Sequence, residues 1–82
     1  MLVVCLALLP LAAVSAHADD MTACTVRRAA LTKQAADFKG DATTKANIDR
    51  ALRRAGKELA EGDGDECIEA LDHVAKLLAS TN

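Results

Sequence analysis

The sequence predicts an all-α fold: a small three-helix bundle, made of an antiparallel helical hairpin plus an N-terminal helix, stapled by one disulfide. Three observations carry that prediction. Apolar residues recur at helical spacing, most cleanly in Ile48, Ala51, Leu52, Ala55 and Leu59. Glycine-centred breaks at Gly40-Asp41 and Gly62-Asp63-Gly64 cut the pattern into helix-length pieces. β-Branched residues never cluster, and no alternating apolar–polar run survives beyond the first eighteen residues, so no strand is expected.

Those first residues stand apart. From Met1 to Ala16 every residue is apolar or small, and Ala16-His17-Ala18 presents small side chains at both positions a signal peptidase inspects. The chain therefore reads as a cleavable secretory signal over 1–18 and a single small helical domain over 19–82. Pro10 interrupts a run already short for a bilayer, so no permanent membrane anchor is expected after signal removal. Cleavage after Ala16 is also chemically acceptable and would leave His17 as the amino terminus. No Lys or Arg precedes Arg27, so either the true start lies upstream of Met1 or the signal is atypical. A periplasmic or secreted product follows from this reading.

The first helix of the domain is expected from about Met21 to Phe38, with Asp20 or Thr22 as its cap. Cys24, Leu31, Ala35 and Phe38 share one stripe. Arg28 lies on it too, with an aliphatic stem able to pack while its guanidinium reaches water. Ala23, Val26 and Ala30 form a thinner second apolar face. Gly40 suits the position after a helix end, and Asp41 or Thr43 can cap the second helix, about Thr44 to Glu61. The outer side of that helix carries Asp49, Arg50, Arg53, Arg54, Lys57 and Glu61. Asp49–Arg53, Arg54–Glu58 and Lys57–Glu61 are spaced to pair along it. Gly56 beside the apolar stripe fits either the close approach of a neighbouring helix or simple tolerance of a glycine there. The third helix, about Asp65 to Ala79, has Cys67, Leu71, Val74 and Leu78 as its stripe, flanked by Ile68 and Leu77. Asp63 and Glu66 have the spacing of a capping box at its start. The predicted core is Leu31, Phe38, Ile48, Leu52, Leu59, Leu71, Val74 and Leu78.

So short a domain is marginal for a self-supporting core, and the cysteines address this. Cys5 leaves with the signal, so Cys24 and Cys67 remain, and in an exported chain such a pair implies a disulfide. Closing a loop of about 44 residues stabilises by roughly 4 kcal/mol in the chain-entropy model. The spacing fits neither a C-x-x-C redox motif nor a zinc site.

Composition excludes more functions than it suggests. Ten Lys and Arg against twelve Asp and Glu create no field for nucleic acid, and Phe38, the single aromatic residue, offers no stacking platform. No nucleophile, base and orienter fall into a recognisable set, so an enzyme is not expected and no catalytic residue is assigned. Asp63-Gly64-Asp65-Glu66 fails as a calcium loop, because Cys67, Ile68 and Val74 occupy positions that need oxygen ligands or glycine. Neither a metal site nor a cofactor is expected. The stretch from Leu59 to Leu78, with Gly62-Asp63 followed by Cys67-Ile68-Glu69-Ala70-Leu71, resembles half of a tetratricopeptide unit. A solenoid needs about three such units, so the resemblance implies a helical hairpin and no function.

The expected function is that of a non-enzymatic interaction module for an unidentified protein partner. The candidate faces are Ala23–Val26–Ala30 and the basic stripe of Arg50, Arg53, Arg54 and Lys57, and a homodimer is possible. The general plan also resembles small periplasmic acid chaperones, an exported helical chain with few aromatic residues and one disulfide. That resemblance implies loosening by carboxylate protonation. A weaker alternative is copper carriage by His17 and His73.

Overall fold

A computed structural model describes the backbone of residues 3–80 and the side chains of residues 19–80. Three α-helices pack against one another: α1 (Val3–Ala36), α2 (Ala42–Ala60) and α3 (Gly64–Ala79). Among the described residues there is no strand, as the spacing predicts.

Contacts fix the directions. Arg54 of α2 meets Glu66 near the start of α3, which makes these two helices an antiparallel hairpin. Arg28 of α1 reaches the Leu52 carbonyl of α2, while Cys24 and Arg27 of α1 meet Cys67 and Asp72 of α3 in ascending order. The bundle therefore runs up, down and up, with α1 and α3 parallel.

The first boundary differs from expectation. α1 runs unbroken through Asp20 and Thr22, so neither caps it. Nothing between Ser15 and Met21 breaks a helix: the stretch holds no glycine or proline, and three of its residues are alanine or methionine, both good helix formers. Its end comes at Ala36, where Asp37 and Phe38 donate their N–H groups to Gln34 and Ala35 and tighten the last turn. Gly40 is not left-handed. It sits beneath the Phe38 ring, whose atoms would collide with any side chain there.

The other two helices begin and end where their signals stand. Asp41 caps α2, accepting from the Thr44 N–H at 3.1 Å and the Thr44 hydroxyl at 2.7 Å. Gly62, at φ 78°, closes the same helix in a Schellman turn: its N–H donates to Leu59, and that of Asp63 to Glu58. Asp63 then caps α3 by accepting from the Glu66 N–H at 3.1 Å. The capping box is only half made. The Asp63 N–H is already committed to Glu58 and the Glu66 carboxylate to Arg54, so no reciprocal bond forms.

Cys24, Leu31, Ala35, Ile48, Ala51, Leu52, Ala55, Cys67, Ala70, Leu71 and Val74 form the core. Phe38, Leu59 and Leu78 were expected inside but are only partly buried, because they lie near helix ends where fewer neighbours cover them. Alanines fill their place at the centre and bring the helices close. Gly64 marks a tight approach: a Cβ there would lie 2.8 Å from the Asp20 Cβ and 3.2 Å from the α1 backbone. Gly64→Ala is expected to destabilise by about 1–3 kcal/mol, although alanine favours helix, because backbone must move to admit it. Urea unfolding of the purified protein measures this, and an unchanged midpoint would show that the two helices separate there freely.

Candidate functional site

The chain's covalent centre is its best-defined feature. Cys24 of α1 and Cys67 of α3 are bonded, 6.1 Å apart at Cα and 43 residues apart in sequence, and both are fully buried. Each sits on the apolar stripe of its helix, so the packing that buries the stripes also brings the sulfurs together. With no exposed sulfur to attack, the bridge acts as a structural staple between the outer ends of the chain.

Arg28 occupies the cleft between α1 and α2. Its Nε donates to the Leu52 carbonyl at 3.2 Å, and its guanidinium lies over Gly56, where an added Cβ would fall 2.8 Å from Nη2. Gly56 therefore makes room for a side chain, and not for a helix backbone as its position suggested. The charged head stays along the α2 surface, while the stem joins the stripe.

Of the two candidate faces, Ala23, Val26 and Ala30 lie together on the outward side of α1. All three are exposed, and Val26 retains 65% of its surface. The basic stripe is divided by the packing. Arg53 and Lys57 face solvent, whereas Arg50 and Arg54 edge a groove between α2 and α3. That groove has a volume of about 220 Å3; Ala51 and Ala70 line its interior, and Asn47 and His73 its rim. Sequence reading left Asn47 unassigned and placed His73 on a solvated face. His73 is exposed, but it also meets the groove across the helix pair. The i,i+3 spacing of Asn47 and Arg50 was the available signal.

The expected pairs along α2 do not form. Asp49 binds Lys45 at 3.0 Å instead of Arg53, and Arg54 reaches across to Glu66 at 3.1 Å instead of Glu58. Glu61, expected to pair with Lys57, stands beside Glu58, whose pKa its proximity raises. Tertiary contact redirected Arg54, whereas Asp49 took its other neighbour one turn away on the same helix. Among the described residues, Arg50, Arg53 and Lys57 are consequently left without an acidic partner.

Two carboxyl groups at opposite ends of α2 respond to acid in opposite senses. Hydrogen bonds from the Thr44 hydroxyl, then from its backbone N–H, hold Asp41 below the ordinary aspartate value. Its contribution is complete above the unfolded pKa and fades as pH falls through the lower folded one. Glu58 is pushed up, first by its hydrogen bond with Glu61, then by desolvation and by the charges of Glu61, Asp63 and Glu66. Ionised Glu58 thus opposes folding at neutral pH, and acidification through its raised value relieves that opposition. Glu58→Gln is expected to melt higher than wild type at pH 7, with the gap closing as pH falls below the ordinary glutamate range. Melting curves across pH 3–7 check it; a gap that widens in acid contradicts the assignment. Acid thus strengthens one end of α2 and weakens the other.

His17, the other expected copper ligand, lies outside the residues whose side chains are described. Among the described residues no three His, Cys, Asp or Glu side chains converge as a metal site. None of the described helices is long and apolar enough to cross a membrane.

Fold and surfaces together define a small helical domain with an interior disulfide and a partly uncompensated basic face. No family model, characterised protein or solved structure matches the chain.

Proposed function

We propose that this chain is an exported, non-enzymatic interaction module that meets a protein partner through the basic side of α2. The observation that supports this reading is the redirection of the nearby carboxylates. In a chain with net charge −2, Arg50, Arg53 and Lys57 stand exposed along one helix with no acidic neighbour bound to them among the described residues. Such a stripe attracts an anionic surface and orients it on approach. The buried bridge supports export, since disulfides persist in oxidising compartments, and the apolar leader with its Ala16-His17-Ala18 junction agrees.

A photo-crosslinking residue at Lys57 tests the proposal, with a second at Val26 on the other candidate face. A discrete protein adduct from Lys57 in the envelope fraction, lost when Arg50 and Arg53 are changed to Glu, is the expected result. Adducts from Val26 alone would move the interface to α1. No adduct from either position would end the reading.

A further inference from the structure

Within the α2–α3 groove Arg50 is held differently from the paired cations around it. Arg27, Lys45 and Arg54 each have a carboxylate within 3.1 Å, on Asp72, Asp49 and Glu66. Arg50 instead donates from Nη1 to the neutral Asn47 Oδ1 at 3.1 Å, one turn earlier on α2. That bond orients the guanidinium without neutralising it and leaves its other N–H donors for a further acceptor. Between the arginines the groove is lined by Ala51 and Ala70, which are 7% and 0% exposed and present no polar side chain.

We propose that this groove receives a glutamate or aspartate side chain from an acidic segment of a partner protein, with Arg50 as the carboxylate's ligand and the alanines around its methylene stem. The proposal rests on the interaction-module reading and specifies the partner's chemistry. Charge sets the register. The far end of the groove opens at His73 onto a second hollow shared by Arg54, Glu69, Asp72 and Lys76, where acidic and basic groups mix. Among the described residues no acidic group lines the Asn47–Arg50 end, so a carboxylate is drawn there. Size agrees: 220 Å3 falls below the roughly 300–1,000 Å3 of pockets for drug-sized ligands and suits one side chain. A nucleobase finds nothing to stack on, because Phe38 lines a different hollow, beside Leu31 and Leu78. A planar carboxylate matches the guanidinium fork, whereas a free phosphate would gain nothing from the apolar lining.

The test uses the oxidised protein and fluorescence anisotropy with a labelled helical peptide of Glu-Ala-Ala-Leu repeats. A matched peptide of Gln-Ala-Ala-Leu repeats serves as the control. Arg50→Gln is expected to weaken the Glu peptide about tenfold or more, the usual scale for losing a charge-assisted pair. Asn47→Ala should weaken it less, by releasing the orientation of Arg50. Lys33→Gln removes an exposed charge on α1 that lines neither hollow and should change affinity no more than about twofold. Circular dichroism confirms that each exposed variant remains folded. Equal binding of the Gln peptide, equal losses from Arg50→Gln and Lys33→Gln, or no binding of the Glu peptide would each overturn the groove assignment. So would displacement by inorganic phosphate beyond that of sodium chloride at equal ionic strength, which would mark a simple anion site. Failure here with a persisting Lys57 crosslink removes the groove and leaves the interaction module; peptide binding without any crosslink separates the two in the other direction.

Discussion

Replacing both Cys24 and Cys67 with alanine should cost the domain roughly 2–5 kcal/mol, the range for native bridges in small exported domains. For a domain of this size, total stability is on the order of 3–9 kcal/mol, so most of it would disappear. The cause is twofold. Cutting a 43-residue tie between α1 and α3 restores freedom to the unfolded chain, and truncating two fully buried sulfurs leaves space at the centre of the core. The expected readout is a cooperative melt for the oxidised protein and a broad, low transition for the double variant. Because both sulfurs are buried, dithiothreitol should reduce the native protein only as fast as it opens, and much faster in urea. Equal melting temperatures for the oxidised protein and the double variant would show that helix packing suffices unaided.

The second large effect is expected from Leu71→Ala. Leu71 is fully buried on α3, four residues after Cys67, and its removal should cost about 2–5 kcal/mol. Leu59→Ala is the informative comparison. Both leucines lie on apolar stripes of similar quality, but Leu59 stands at the last turn of α2 and is only partly covered. Its truncation should cost less than half as much, since part of its surface already faces water and no closed cavity results. Urea midpoints of the two variants, measured with the bridge intact, check the order. A larger loss at Leu59 would mean that the hairpin corner, and not the disulfide layer, is the packed centre.

That comparison shows how far the sequence could be read. The stripes of α2 and α3 were legible because a soluble helix must place apolar side chains every three or four residues to bury one face. Asp41, Gly62 and Asp63 were legible as stops and caps, since their preferences are local to a few backbone groups. The start of α1 was not, because Asp20 and Thr22 can cap a helix but do not compel one to begin. Pairing along α2 also failed. Spacing of i and i+4 permits Asp49–Arg53 and Arg54–Glu58, but it contains no knowledge of Glu66 on the next helix.

The sequence by itself therefore determined the helical class, the breaks between helices, the apolar stripes and the pair of cysteines able to join. All of these follow from periodicity, turn chemistry and composition, which act over a few residues. Only the tertiary structure decided which stripe residues are sealed, that Gly64 admits the α1 backbone, and that Arg28 rather than a helix lies over Gly56. It also decided that Arg54 binds Glu66 across the hairpin, and that Arg50, with no acidic partner among the described residues, edges an alanine-lined groove. Those outcomes depend on how one helix sits against another, a competition among distant partners that local spacing does not encode.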